Sequence, residues 1–216
     1  MMRSEFLAML AERIAARMQD GIVRTAIDGI DGAGKTSFAD ELGRVLGARG
    51  LRIIRASVDG FHNSRAVRYR LGRDSPEGFY RDTTNVRLLR ELLLDPLSAG
   101  GSGIYRVRGF DHTTDQPVDA PPEVAVAPAV LLFDGIFLHR PELRDYWDLS
   151  IFLDVPFAQS YARMAVRAGS DPDPGAAVNR RYFEGQKLYL NECRPQERAD
   201  IVVDYGDLEA PWIVRG

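Results

Sequence analysis

Eight residues carry the first chemistry this chain offers. Gly29-Ile30-Asp31-Gly32-Ala33-Gly34-Lys35-Thr36 fills the pattern G-x-x-x-x-G-K-[ST], the loop that cradles a phosphate chain. Its glycines let the backbone turn tightly with N–H groups pointing inward, at the positive end of a following helix. Gly29, Asp31, Gly32, Ala33, Gly34, Lys35, Thr36 and Ser37 are therefore the expected contacts of a nucleoside triphosphate. Lys35 can reach the outer phosphates, and the Thr36 hydroxyl can ligate magnesium. Of 28 basic residues only Lys35 and Lys187 are lysine. A chain that otherwise uses arginine keeps a compact ammonium where a planar guanidinium does not fit.

Two carboxylates follow at comparable positions. Asp59 closes the stretch Leu51–Val58, which has Ile53-Ile54 at its centre, and Asp134 closes the continuous apolar run Ala129–Phe133. In open parallel sheets ligands bind at the carboxyl ends of strands. Asp59 there can take a proton from an attacking hydroxyl or help hold magnesium. Asp134 stands at a Walker-B-like acidic position, suited to holding magnesium directly or through water.

The elements that must position these groups alternate along the chain. Residues 23–28 read as a strand entering the loop, and 36–48 as a helix leaving it. Further strands are expected at 51–58, 129–133, 149–153 and 199–204, with helices between them. Ser4 to Met18 spaces apolar residues as a leading helix, with Ser4 as its cap. The segment 65–82 carries Arg65, Arg68, Arg70, Arg73 and Arg81, and reads either as a solvated surface or as a substrate-facing flap. Residues 104–112 (IYRVRGFDH) read as a short strand with aromatic and basic side chains. The Gly/Pro-rich break at 169–175 separates a helix bearing Arg163 and Arg167 from one bearing Arg180 and Arg181. It is either a mobile lid or an ordinary helical hairpin. Trp212, Ile213 and Val214 in the tail are expected to be docked. No second domain or repeat appears, so residues 1–216 are read as one α/β domain.

The totals exclude several classes. A net charge of −3 argues against a general nucleic-acid binder. A single cysteine, Cys193, allows no internal disulfide and suits a reducing cytoplasm. No apolar run reaches membrane-spanning length and no signal-peptide core opens the chain. The expected partner is a small molecule, with neither nucleic acid nor membrane.

Together, GIDGAGKT after a strand, Asp59-Gly60-Phe61-His62, LLFDGI and Ala199-Asp200-Ile201-Val202-Val203-Asp204 resemble the uridine kinase group, which includes pantothenate kinase and phosphoribulokinase relatives. Asp74-Ser75-Pro76-Glu77-Gly78-Phe79 is similar to that group's D-x-P-x-x-F stretch. The resemblance spans about residues 22–205. It implies a three-layer P-loop NTPase fold: a five-stranded parallel sheet in order 2-3-1-4-5, with helices on both faces. It also implies a small helical lid at about 163–181, and acceptor-side insertions at about 60–82 and 104–118. The implied activity is ATP- and Mg2+-dependent phosphorylation of a small-molecule hydroxyl, with a nucleoside such as uridine or cytidine as first acceptor. On this resemblance Asp59 is the general base, and Lys35, Arg163 and Arg167 neutralise the transferring phosphoryl group. Thr36 and Asp134 are magnesium-associated. Asp74 holds substrate hydroxyls, and Phe61, His62, Arg108, Phe110 and His112 border the acceptor.

Three departures keep the acceptor open. Asp134 stands where uridine kinases usually carry Glu. YRVRGFDH does not match their Tyr-Asp-Phe loop, and Tyr105, Phe110 and Asp111 fit a pantothenate kinase pattern at least as well. The lid motif Arg-Asp-x-x-x-Arg-Gly is replaced by Arg-Ala-Gly-Ser-Asp. Pantothenate or another non-nucleoside alcohol therefore remains an alternative acceptor. A nucleotide kinase is a further reading, because the phosphate loop is also like that of thymidylate kinases, although their Arg-Glu-Pro-Gly and Asp-Arg-Tyr motifs are missing. A catalytically silent nucleotide binder is the last.

Overall fold

The computed structural model describes residues 2–216. Its elements run α1 (Arg3–Ala15), β1 (Ile22–Gly29), α2 (Lys35–Ala48), β2 (Arg52–Ser57), α3 (Arg65–Arg68), α4 (Pro76–Asp82) and α5 (Val86–Leu89). Four two-residue strands follow: β3 (Ile104–Tyr105), β4 (Phe110–Asp111), β5 (Gln116–Pro117) and β6 (Glu123–Val124). The chain ends with β7 (Ala129–Gly135), β8 (Leu149–Asp154), α6 (Phe157–Ala168), α7 (Arg180–Cys193), α8 (Pro195–Arg198), β9 (Ile201–Asp204) and β10 (Trp212–Arg215).

The central sheet has strand order β10-β9-β8-β1-β7-β2. Its five parallel strands follow the expected 2-3-1-4-5 order, but the sheet has six strands, not five. The sixth is the docked tail, β10, antiparallel to β9. It satisfies edge N–H and C=O groups that β9 would otherwise leave open.

Alternation along β7 shows why its sequence is apolar without a break. Val130 and Leu132 pack with Phe6, Leu10, Phe38 and Leu42 of α1 and α2. Ala129, Leu131 and Phe133 pack on the other face with Leu89, Leu93 and Tyr189. Both faces of the strand are covered, so successive side chains must all be apolar. The same alternation sends Asp134 toward α2 and, on β1, sends Asp28 to the face of Ala26 and Tyr189. The sheet therefore aims its first polar residues before any site chemistry is considered.

The segment 65–82 is neither strand nor open flap. Ser75 caps α4, its Oγ accepting from the Gly78 N–H at 3.0 Å, with Pro76 in the first turn. Pro is preorganised for that position. Gly78, Phe79 and Tyr80 are buried, so the end of this charged segment packs into the core. Ser4 lies inside α1, whose N-cap is Met2. Residues 104–112 form no single strand: β3 pairs β6 and β4 pairs β5 as two antiparallel ribbons. The Gly109 N–H bonds the Gly60 carbonyl at 2.9 Å, docking the β4–β5 ribbon on the turn that follows β2.

Between α6 and α7 the chain turns at Gly169 (φ 68°). The buried Asn179 side chain donates to the carbonyls of Asp171 (3.0 Å) and Asp173 (2.7 Å), which ties the break to the start of α7. Among the described residues no helix is long and apolar enough to cross a membrane.

Candidate active site

The turn from β1 to α2 adopts the backbone its glycines permit. Gly32 and Gly34 have φ of 71° and 93°, the left-handed region costly for residues with a Cβ. Gly34 is the N-cap of α2, so the first N–H groups of that 14-residue helix face the loop. A cleft of about 170 Å³ opens there, lined by the loop from Asp31 to Ser37 with Ser57, Asp59, Asp134 and Arg167. Gly29 and Ala33 support it from behind: Ala33 is fully buried, and a Cβ on Gly29 would lie 2.9 Å from the Leu153 carbonyl oxygen. Lys35 Nζ donates to the Ile30 carbonyl at 2.8 Å, which holds the ammonium across the loop.

Asp134, 2% exposed, is the most heavily partnered group of the cleft. Its Oδ2 accepts from Thr36 Oγ1 at 2.7 Å and from Ser57 Oγ at 3.4 Å. Its Oδ1 pairs with Arg55 Nη2 at 2.9 Å. Ser57 is the register partner of Asp134 across the β2–β7 pair, and Arg55 lies two residues back on the same face of β2. Arg55 also meets Asp40 at 2.9 Å. A carboxylate this buried needs such partners.

Asp59 sits in the one-turn 3-10 helix Val58–Phe61 and remains 68% exposed at its side chain. His62 Nε2 lies 3.5 Å from its Oδ1. That contact, and the nearby charges of His112 and Lys35, hold the Asp59 carboxyl below its ordinary value despite partial burial. Asp59 is thus ionised at neutral pH. Asp31 is pushed the other way: burial raises it, the Asp59 charge adds to the rise, and Lys35 and Arg167 offset part of it. Because His62 is the first cause of the Asp59 depression, His62→Ala should raise that carboxyl. The ionised form would then be lost at higher pH, and the acid limb of the kcat/KM profile should move up relative to the unaltered protein. Profiles begun below about pH 4, where the lowered carboxyl of the unaltered protein titrates, read this directly; coincident limbs would show that His62 does not tune Asp59.

The model of the Phosphoribulokinase / Uridine kinase family matches residues 25–207, which takes in the loop, both carboxylates and the closing strand. The chain belongs to that family. Its structure is similar to that of a candidate uridine kinase from Bacillus stearothermophilus, at 25% identity and TM-score 0.71 over 93% of this chain and 98% of the other. A candidate fructose transport system kinase from a Silicibacter species is similar at 27% identity and TM-score 0.67, over 86% and 94%. Phosphoribulokinase from Rhodobacter spheroides shares the fold at 15% identity and TM-score 0.54, over 88% and 74%. No curated protein matches the chain. As a member of this family the protein is a P-loop kinase acting on a small molecule.

The remaining predicted site residues divide. Arg167 reaches the cleft. Arg163, one turn earlier on α6, does not: its guanidinium donates to the carbonyls of Tyr205 (2.9 Å), Gly206 (2.8 Å) and Ala33 (3.3 Å). It fastens the loop's rear to the segment after β9 rather than facing a phosphate. Phe61, expected to border the acceptor, is fully buried against Phe133 at 6.2 Å between ring centroids. An apolar ring at the foot of the sheet is better sheltered in the core than beside solvated carboxylates. Phe110 is buried in the β4–β5 ribbon. Asp74 is exposed in the turn before α4, lines none of the clefts described here and has no side-chain hydrogen bond among the described residues. Arg108 is exposed, with its Cβ side packed against Gly60, where a Cβ would come within 2.8 Å. His62 and His112 do stand together, ring centroids 4.7 Å apart.

Five supporting groups escaped sequence reasoning. Gln186 of α7 accepts from the Asp31 N–H at 2.6 Å, and Arg55 anchors Asp134. Beneath the loop, the fully buried Asp28 accepts from the Gly29 N–H at 2.7 Å. Its other oxygen meets His139 Nδ1 at 2.7 Å and the Tyr189 hydroxyl. Asp28 had a signal, since an acid inside an apolar strand must find partners; Gln186 and Arg55 had none.

Proposed function

We propose that this kinase transfers the γ-phosphoryl group of ATP to a hydroxyl of a small molecule, with Asp59 as the base. One observation carries the reading: Asp59 and Asp134, at the ends of neighbouring strands β2 and β7, share one cleft with Lys35 and Thr36. The acceptor oxygen forms a bond to the γ-phosphorus as the bond from that phosphorus to the β-phosphate oxygen breaks. ADP departs with the electron pair, and the hydroxyl proton passes to the ionised Asp59. Lys35 and Arg167 supply positive charge where the equatorial oxygens gather negative charge. Such reactions rest on positioning and charge stabilisation more than on covalent chemistry.

The donor set fits magnesium. The Thr36 hydroxyl, the Asp134 carboxylate and the Ser57 hydroxyl are hard oxygen donors already gathered within hydrogen-bond reach, and magnesium binds through few carboxylates and the substrate's phosphates. When bound it would neutralise the phosphate oxygens; Arg55 would keep Asp134 in place.

Uridine or cytidine is the acceptor the family resemblance implies, and the candidate uridine kinase from Bacillus stearothermophilus supports assaying it first. The test is ADP release with and without added acceptor. Acceptor-dependent turnover that stops on chelation of magnesium is the expected result. Tight ATP binding with no acceptor-dependent turnover would instead support a silent nucleotide binder.

A further inference from the structure

A second cavity, of about 550 Å³, lies apart from the nucleotide cleft. Its lining is Arg65, Arg68, Tyr69, Arg73 and His112. The two sites are joined through side chains: Asp59 lines the nucleotide cleft, His62 touches Asp59, and the ring of His112 lies tilted against that of His62 while lining this pocket.

The pocket is short of negative charge. Asp115 is the one carboxylate paired with its arginines among the described residues. It accepts from the Arg65 backbone N–H at 2.8 Å and reaches Arg68 Nη2 only at 3.5 Å. Arg65 spends one guanidinium nitrogen on the Thr113 carbonyl at 2.9 Å. Arg73 has no ion pair among the described residues, although the exposed Asp74 is its neighbour in sequence. Arg68 is the informative member. Its side chain is only 11% exposed, and its Nε is buried without a hydrogen-bond partner. A donor orphaned in this way is uncommon, and an ordered water or a bound group is the ordinary means of satisfying it.

The arginines are also held in place. Arg181 of α7, itself buried, donates to the backbone carbonyls of Arg73 and of Arg68, the latter at 3.3 Å. Its guanidinium lies over the Tyr69 ring at 4.7 Å, with Arg68 and Arg73 over the same ring at 5.6 and 5.8 Å. Three guanidinium groups thus surround one aromatic ring, and Arg181 has no carboxylate partner among the described residues. Such a concentration of preorganised forked donors matches a carboxylate or a phosphate.

We propose that this pocket holds an oxyanionic group of the acceptor, a carboxylate or a phosphate, and so presents the acceptor's hydroxyl to Asp59. The proposal rests on the kinase reading and narrows it to acceptors that carry a negative charge, which neutral ribosides lack.

Matched pairs test it: D-glycerate against glycerol, ribose 5-phosphate against ribose, with uridine and cytidine alongside. ADP release is measured at saturating MgATP. Binding is measured separately by calorimetry with a non-hydrolysable ATP analogue present. The charged member of one pair should exceed its neutral counterpart in kcat/KM, and which pair responds separates carboxylate from phosphate. Arg68→Gln and Arg73→Gln should each reduce that preference by about tenfold to a hundredfold, since a hydrogen bond to a charged group is worth that much. The loss should fall mainly on KM and leave the neutral compounds' binding unmoved; a merely structural role would weaken both alike. Arg73 is exposed, so its variant remains informative even if Arg68→Gln does not fold. Faster turnover of uridine or cytidine than of either charged compound would overturn the pocket assignment and leave the kinase reading intact. So would failure of both charged compounds to bind. Charged compounds that bind through Arg68 and Arg73 without any turnover would uphold the pocket and sink the kinase reading.

Discussion

Asp59→Asn should lower the acceptor-dependent rate by about 10²–10⁴-fold, the usual contribution of a positioned acid or base, while ATP still binds. The amide keeps the shape and can still touch His62, but it takes no proton. The Asp59 side chain is 68% exposed, and exposed ion pairs contribute little to stability, so the fold should survive unchanged. The Asp59 charge also pushes Asp31 upward, so its removal relieves repulsion in the nucleotide cleft rather than adding any. ADP-release kinetics beside calorimetric titration of ATP separate the two effects. A kcat within about threefold of the unaltered protein would remove Asp59 from the chemistry.

Gly32→Ala should damage both folding and nucleotide binding. A Cβ at Gly32 would lie 2.6 Å from the Ser160 carbonyl oxygen and 2.7 Å from Met164 Cγ, at a φ of 71°. The Met164 side chain can move aside, but the α6 backbone cannot do so without disturbing the helix that carries Arg163 and Arg167. The left-handed conformation alone costs an alanine about 1–2 kcal/mol. With the clash added, a Tm loss on the order of 5 °C or more is expected, together with at least a tenfold rise in the KM for ATP as the loop shifts. Gly47→Ala is the internal comparison. It sits in α2 with nothing within 4 Å of the added Cβ, where alanine favours the helix by about 1 kcal/mol. Thermal melts with and without ATP would read both; an unshifted Gly32→Ala protein would mean that the α6 contact does not constrain the loop.

The donor half of the site was legible in the chain because each of its parts is local. A glycine-rich turn between an apolar strand and a helix can be recognised from consecutive residues, and so can an acid ending an apolar strand. Asp59 and Asp134 were found this way, and a parallel sheet followed from the alternation of strands with helices, whereas the strand order came from the family resemblance. The acceptor half was not legible for the same reason. Phe61 was read as a substrate contact on the family resemblance, yet its ring is buried in the core. Arg163 and Arg167 look equivalent in sequence, but a turn of α6 directs one to backbone carbonyls and the other to the cleft.

By itself, then, the sequence determined a phosphate-binding loop, two strand-end carboxylates and the parallel sheet that aligns them. These depend on backbone conformation and strand alternation, which neighbouring residues encode. Only the tertiary structure decided what surrounds them. It gave Asp134 an arginine from the adjacent strand, Asp31 a glutamine from α7, and Asp59 a pair of histidines from segments 50 residues apart. It also gathered Arg65, Arg68, Arg73 and His112 around one pocket and set Arg68, Arg73 and Arg181 over the ring of Tyr69. No spacing rule links residues brought together by helix docking and ribbon pairing, because those contacts are chosen by packing across the whole fold rather than by the period of any one element.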